Sequence, residues 1–492
     1  MRFPRLVSAA AVALVCACGE PATSGKANQE APAAKAPVEK AGNHDAAAAA
    51  PSGEKASEAP GSAARPSGDT CRSWAELDPA TLPPLPETPY TPTFDRVWRT
   101  VLEKHFDPTL ACKDWPALRA EYGAKLTTVA DAPAAYKVMN ELLETLGQSH
   151  FKVVPPFGGA EPDDTRGGPA RVPIHVRMIG EQLVVVDPKV GGVASGVPAG
   201  AALVKIGDKT AEALIDRARS EAMRPGEVAY HAAFEAGRAL SCQPGQKRSL
   251  TYLDPESKDR EVTKEVACVT PPGELVSLGN LRDLPTTVEH RMLPASESGG
   301  KKIGYIAFNY WMLPMVERVK AAMTDLRGQG MEALVLDLRG NPGGVGAMSI
   351  PVARLLLQES GSLGKLQFRE FTQEFNVTGD PQAFSGPVIV LVDEGTASTS
   401  EIFAAGLRDL GRVRVAGSRA SAGAALPSLL ERLDNGALLQ YVVGDYHSAK
   451  GTVAEGDGVS PDITAVETRA DFVAGRDPVL LAAVAAFDSK SP

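Results

Sequence analysis

The sequence predicts a layered α/β core behind a helical region and a small β module, and three observations predict it. From residue 273 onward, near-continuous apolar runs such as 332–338 (EALVLDL) and 387–392 (PVIVLV) alternate with segments of helical spacing, as strands covered by helices on both faces do. Before them, from Arg171 to about Val269, strand-like runs (VPIHVRM, QLVVVDP, ALVKIGD, KRSLTYL, REVTKEVACV) flank the helical AEALIDRARS. Earlier still, aromatic and leucine residues recur at helical spacing: Phe94, Val97, Trp98, Val101 and Leu102, then Tyr136, Met139, Leu142, Leu143 and Leu146.

In chain order, the first twenty residues, MRFPRLVSAAAVALVCACGE, carry two arginines, an apolar stretch too short to span a bilayer, then small residues and cysteine. They read as an export signal, residues 1–18. The ending resembles a bacterial lipobox with Cys18 as the lipidated residue; plain signal-peptidase cleavage is the alternative. The expected location is the bacterial periplasm or cell envelope, with a membrane reached through Cys18. Residues 19–70 are almost wholly Ala, Pro, Gly, Ser, Glu and Lys, too polar to offset the entropy of ordering, and are expected to be a disordered tether. A net charge of -9 without a basic cluster excludes a general nucleic-acid binder.

Four cysteines remain, Cys71, Cys112, Cys242 and Cys268, an even number for an oxidising compartment and without C-x-x-C spacing. Proximity suggests Cys71 with Cys112 and Cys242 with Cys268, although four cysteines allow three pairings. Residues 71–165 are expected as a helical subdomain ending at Gly147, followed by Gln148-Ser149-His150 and a strand at 152–154. Residues 166–272 form the β module. Its stretch ASGVPAGAALVKIGDKTAEALI resembles the latter half of a PDZ domain, which binds chain termini by strand addition. Gly167-Gly168-Pro169-Ala170 stands where the carboxylate-binding loop belongs, with proline removing one donor, and 223–243 looks like an insertion.

In the core, 273–492, strand 387–392 crosses Glu394-Gly395-Thr396-Ala397 into a helix with Ser398 at its start. Ser398-x-x-Glu401 fits a capping box, in which the serine only accepts a backbone hydrogen bond. It equally fits a nucleophile lifted from a tight turn, with an oxyanion hole from the N–H of Thr399 and of Gly343 or Gly344 in the turn Arg339-Gly340-Asn341-Pro342-Gly343-Gly344. A phosphate cradle lacks the G-K-[ST] ending. No H-E-x-x-H or clustered His and Cys is present, so neither metal nor cofactor is expected.

LDLRGNPGG (336–344), GPVIVLVDEGTASTSEIFAAGL (386–407) and GDGVSPDI (456–463), preceded by the PDZ-like segment, resemble the tail-specific or C-terminal processing serine peptidases, family S41, and their tricorn-core relatives. The likeness runs in order from about Thr93 to Phe487. It implies a ClpP/crotonase-like layered α/β peptidase core, polypeptide substrates, and Ser398 as nucleophile. The Ser-Lys branch of that family places a lysine where this chain has Gly423, in GSRASAGA (417–424). The tricorn-like branch instead carries a Ser-His pair and a later glutamate, which LLETLGQSHFKV (142–153) and AEGDGVSPDI (454–463) resemble. By that likeness His150 is the general base, and Glu455, directly or through Ser149, orients the imidazole. Lys450 and His447 are the competing bases. The rival function is a catalytically inactive, peptide-binding scaffold lipoprotein, with the missing lysine as its signature. Oligomeric state is not legible.

Overall fold

The computed structural model describes residues 71–156, 168–190, 192–222, 224–278, 281–451 and 454–488; the expected export signal, Cys18, the tether and Gly167 lie outside them. Three helices open the described chain: α1 (Thr91–Lys104), α2 (Trp115–Lys125) and α3 (Ala132–Glu144). Each has proline in its first turn, where a missing N–H costs nothing, and Asp114 and Asp131 cap α2 and α3 through their side chains. Trp98 and Trp115 donate their ring N–H groups to each other's carbonyls, at 2.9 and 3.2 Å. Cys71 and Cys112 are bonded, with Cα atoms 5.1 Å apart. Gly147, at φ +64°, turns the chain out of α3 toward β1 (Lys152–Val154).

The β module comprises β2 (His175–Ile179), β3 (Gln182–Asp187), β4 (Ala202–Ile206), helices α4 (Ala211–Glu221) and α5 (Val228–Ala239), then β5 (Lys247–Asp254) and β6 (Arg260–Ala267). Its sheet runs β6-β5-β4-β3-β2, antiparallel throughout, which leaves β2 at an edge. Cys242 and Cys268 are bonded, with Cα atoms 6.3 Å apart. Most of the segment expected as an insertion is the helix α5. Ala229, Ala232, Ala236 and Ala239 recur at helical spacing and pack α5 onto α4 and β2, so it belongs to the module's core.

The core sheet starts with β7 (Val288–Met292), antiparallel to β8 (Ile303–Phe308). Helix α6 (Leu313–Gly328) leads to β9 (Ala333–Asp337), and α7 (Ser349–Arg354) precedes β10 (Val388–Val392). Helix α8 (Thr399–Asp409) then connects β10 to β11 (Val413–Gly417). The hairpin β12 (Ser428–Arg432) and β13 (Leu438–Val442) follows, then β14 (Ile463–Thr464) and α9 (Pro478–Ala486). Strands β8, β9, β10, β11 and β14 are parallel neighbours in that order. Alternation explains why β9 and β10 read as unbroken apolar runs. Leu334, Leu336, Val388 and Val390 face the cluster containing α6 and α8, while Ala333, Val335, Ile389 and Leu391 face Val479, Leu480 and Ala483 of α9.

Two expectations shift. The helix expected over 347–357 is a 3-10 turn, Gly346–Met348, followed by the short α7, because Pro351 has no N–H and is tolerated only in a first turn. The helical region is not self-contained: β1 pairs with β13, and Leu433, Ala437, Leu439 and Tyr441 complete its core. That pairing brings the corner after α3 to the core. Among the described residues no helix is long and apolar enough to cross a membrane.

Candidate active site

The turn after β10 is stitched to the turn after β9. Asp393 Oδ1 accepts the N–H of Gly340 (2.8 Å) and of Gly395 (2.9 Å), and Thr396 Oγ donates to Leu338 O (2.8 Å). The buried Asn341 accepts the Gly343 N–H on Oδ1 (3.0 Å) and donates through Nδ2 to Phe308 O (2.8 Å). Thr399 Oγ donates to Gly344 O (3.0 Å), and Ser400 Oγ, which accepts from the Trp311 ring N–H, donates to Asn341 O (3.1 Å). Gly343 has φ +99°, and a Cβ there would meet Ser398 Cβ at 2.6 Å. Only glycine fits so close to the serine.

Ser398 itself has φ +55° and ψ -120°, a backbone conformation costing a non-glycine residue about 1–3 kcal/mol. Its N–H, shared between Ala424 O (2.9 Å) and Glu401 Oε2 (3.0 Å), holds it there. Ser398 and Glu401 take up capping-box positions, but only the glutamate's half is a hydrogen bond; Ser398 Oγ is buried and has no partner among the described residues. Gly343 has spent its N–H on Asn341, whereas the N–H groups of Gly344 and Thr399 have no acceptor among the described residues. Of the expected oxyanion donors, Gly344 and Thr399 are therefore free and Gly343 is not.

His150 sits at the corner between Gly147 and β1, half-buried and at φ +62°. Its Nδ1 is 2.7 Å from Ser149 Oγ, which donates to Glu455 Oε2 at 2.9 Å, while Glu455 Oε1 accepts the Ser149 N–H at 2.8 Å. A hydroxyl has one proton. If Ser149 gives it to the carboxylate, His150 must donate from Nδ1, which leaves the Nε2 lone pair as acceptor. Burial pushes the His150 imidazole down to about 4 and raises the Glu455 carboxyl. Behind the corner, buried His105 places Nε2 2.7 Å from Gln148 Oε1 and Nδ1 2.9 Å from Asp107 O.

Residues 421–425 join the two halves. Glu401 Oε1 accepts from Ser421 Oγ (2.5 Å) and Gly423 N–H (2.8 Å), and Oε2 accepts from Ser398 and Ala424 N–H (both 3.0 Å). Burial pushes the Glu401 carboxyl up to about 7 even against these four bonds. On the other side, Gly423 O accepts the Gly456 N–H (2.8 Å) and the Ala425 N–H donates to Glu455 Oε2 (3.0 Å). At Gly423, φ is +72° and a Cβ would lie 2.5 Å from Gly456 O. The backbone carrying Glu455 thus occupies the place where any side chain at 423 would begin.

The bond from His150 to Ser398 is not made in this conformation, since Ser398 Oγ is unpartnered. The competing bases lie elsewhere. The Lys450 N–H donates to Asp409, the last residue of α8, on the order of 15 Å along the helix from Ser398. His447 Nε2 pairs with Asp445 at 3.2 Å. Sequence reasoning used Glu401 only as a cap and missed Arg177, which reaches from β2 to Glu394 (2.8 Å), Glu467 (2.9 Å) and Asp393 (3.6 Å). Burial works against its charge, but these carboxylates more than offset it and hold its pKa above the ordinary value. Glu401 was findable from its spacing to Ser398; Arg177 has no local signal. No group of three or more His, Cys, Asp or Glu able to hold a metal occurs among the described residues.

Peptidase family S41 matches residues 302–465. The carboxyl-terminal-processing protease of Synechocystis is 27% identical over 74% of this chain and 78% of its own length. The chloroplastic carboxyl-terminal-processing peptidase 3 of Arabidopsis thaliana is 24% identical over 75% and 68%. Among solved structures, the photosystem II D1 C-terminal processing protease superposes at a TM-score of 0.51 over 79% of this chain and 97% of that one, at 22% identity. Mature CPAF does so at 0.56 over 82% and 98%, at 14% identity. These two likenesses concern the fold. With the family match spanning β9, β10 and α8 and relatives aligned over three quarters of the chain, the protein is a serine-type peptidase similar to those of family S41.

Proposed function

We propose that this chain is an exported serine endopeptidase that cuts unfolded or C-terminal polypeptide segments through an acyl-enzyme on Ser398. The observation that carries the reading is the Glu455–Ser149–His150 relay, a carboxylate, a hydroxyl and an imidazole in series, tied through the backbone of Ala424 and Ala425 to the residue whose serine hydroxyl is unpartnered. In this mechanism His150 Nε2 reaches Ser398 Oγ when substrate is bound. His150 takes the Ser398 proton as Oγ attacks the peptide carbonyl, and the relay stabilises the imidazolium that forms. Gly344 and Thr399 N–H groups receive the oxyanion. The proton passes to the leaving amine, and a water activated by the same ring releases the acyl group.

In this reading 166–272 is a PDZ-like module whose edge strand β2, beside α5, accepts an extended peptide by strand addition. The N-terminal segment exports the chain to a periplasm or cell envelope, and Cys18 anchors it to a membrane. A second reading, an inactive peptide-binding scaffold, is favoured by one observation, the unmade His150–Ser398 bond. A fluorophosphonate probe with mass spectrometry separates them. The peptidase reading expects an adduct on Ser398 that is lost in His150→Ala; no adduct on the unaltered protein, or equal labelling of the variant, contradicts it.

A further inference from the structure

The two disulfides described above differ in how far solvent reaches them. Cys242 and Cys268 are 1% and 6% exposed, inside the β module. Cys71–Cys112 lies at the surface, with Cys112 exposed, and closes a loop across 41 positions that contains α1. Cys112 also ends a run that backbone sterics oppose. Leu110, Ala111 and Cys112 have φ of +51°, +54° and +62°, a region that L residues visit singly. Three in succession need holding from outside. Asp107 holds the start of the run: Oδ1 accepts the Thr109 N–H (2.8 Å), Oδ2 the Ala111 N–H (3.1 Å), and its carbonyl the Leu110 N–H (3.1 Å). The disulfide holds the end.

The same loop braces the corner of the proposed base. The Asp107 carbonyl that receives Leu110 is also 2.9 Å from Nδ1 of the buried His105. The carbonyl of His105 accepts from Arg369 Nε at 2.9 Å, so its main chain is fixed and only its ring can swing. That ring meets both flanks of the Ser149–His150 pair. Nε2 is 2.7 Å from Gln148 Oε1, and Phe151 stacks on the imidazole with ring centroids 5.7 Å apart. The tilt of His105 therefore sets where the pair sits, and the left-handed turn, through Asp107, sets the tilt. Without its disulfide the turn is free to relax at Cys112. Trp74 keeps the preceding segment docked, through its N–H on Pro108 O (2.8 Å) and its ring N–H on Lys113 O (2.9 Å), which confines the release to the loop.

We propose that Cys71–Cys112 is a redox switch on the base corner: the bonded pair holds Ser149 and His150 in place through Asp107, His105 and Gln148, and its reduction slackens them. The proposal rests on the peptidase reading for its effect on Ser398. The reductant is a dithiol, of the class carried by thiol–disulfide exchange proteins. One of its thiolates attacks Sγ of the exposed Cys112, the S–S bond breaks, and Cys71 leaves as a thiolate that takes up a proton. The second thiol then displaces Cys112 from the mixed disulfide. The protein gains two electrons and two protons, and the dithiol becomes a disulfide. Burial keeps Cys242–Cys268 out of reach of the same attack.

The probe is dithiothreitol applied to the full chain, with iodoacetamide and peptide mapping to report which thiols form. Alkylation is expected at Cys71 and Cys112 and not at Cys242 and Cys268; equal alkylation of all four overturns the selectivity. In the protein so reduced, fluorophosphonate labelling of Ser398 should be about tenfold slower with unaltered far-UV circular dichroism, and should recover when oxidised glutathione replaces the dithiol. Gln148→Ala, which cuts the brace, should label slowly in both states. A rate indifferent to reduction of Cys71–Cys112, a loss that oxidation does not reverse, or an undiminished redox response in Gln148→Ala overturns the proposal. Hydrogen exchange keeps it apart from the peptidase reading: reduction should speed exchange over 105–113 and 148–151 and leave α8 unchanged. If the protein is labelled in neither state, the peptidase reading falls. Faster exchange over 148–151 on reduction then upholds the switch, and unchanged exchange there overturns it.

Discussion

The turn of the proposed nucleophile and the corner of the proposed base are built to different standards. Around Ser398 the bonds run between neighbouring turns of one sheet, Asp393 to Gly340, Asn341 to Gly343, Thr399 to Gly344, and α8 behind them is buried on every side. Around His150 three segments distant in sequence converge, 148–150, 421–425 and 455–456, and one carboxylate holds them together. The serine's strained backbone is over-determined and fixed by sheet geometry. The histidine's position is a tertiary product, which agrees with the proposal that its imidazole meets the Ser398 hydroxyl only with substrate bound.

The largest break in that comparison comes from restoring the family's lysine. Gly423→Lys forces a side chain into Gly456 O at a backbone angle that L residues avoid, and should cost about 3 kcal/mol or more, read as a lower denaturant midpoint. It should abolish Ser398 labelling; enhanced labelling would show that the site still accepts a lysine base. Glu455→Gln comes next. The relay loses its charge while Ser149 keeps a partner, so kcat should fall on the order of a hundredfold with KM little changed. An unchanged kcat would mean that His150 needs no orienting group.

Smaller is His105→Phe, which keeps the ring volume but frees Gln148 from its hydrogen bond. About a tenfold loss of kcat with near-unchanged labelling of α8-side residues by hydrogen exchange would place the slack in the corner alone. The gentlest test is pH. An imidazole near 4 lies below the ordinary 6.5 and so stays neutral, hence able to accept a proton, as pH falls through the range where an ordinary histidine becomes charged. Labelling should therefore persist down to about pH 5.5, a unit below the ordinary histidine value. An acid limb centred near 6.5 would show that the ring is not desolvated.

What could be read in advance divides along the same line. Strands β9 and β10, helix α8 and the closing α9 announce themselves by local periodicity, and Ser398 by its place in a small-residue turn. Residues Ser149, His150 and Glu455 came only through family likeness, because a contact across about three hundred positions leaves no local pattern. The run 223–243 looked like an insertion since alanines carry little hydrophobic signal, yet four of them form the buried stripe of α5. Arg177 was illegible for a related reason: its partners Asp393, Glu394 and Glu467 each read alone as an ordinary acidic turn residue. The reverse holds at Gly423, where the departure from the family was plain in the sequence and its cause, the Gly456 carbonyl, was not.

The central claim is that His150, held by Ser149 and Glu455, serves Ser398. The most direct measurement is a crystal structure of the protein with a peptidyl phosphonate bound covalently at Ser398. The account predicts His150 Nε2 within about 3 Å of Ser398 Oγ or the adduct's leaving-group position, with the bonds from Nδ1 through Ser149 to Glu455 kept. An adduct formed while His150 remains out of hydrogen-bond reach, or with another side chain in its place, would contradict it.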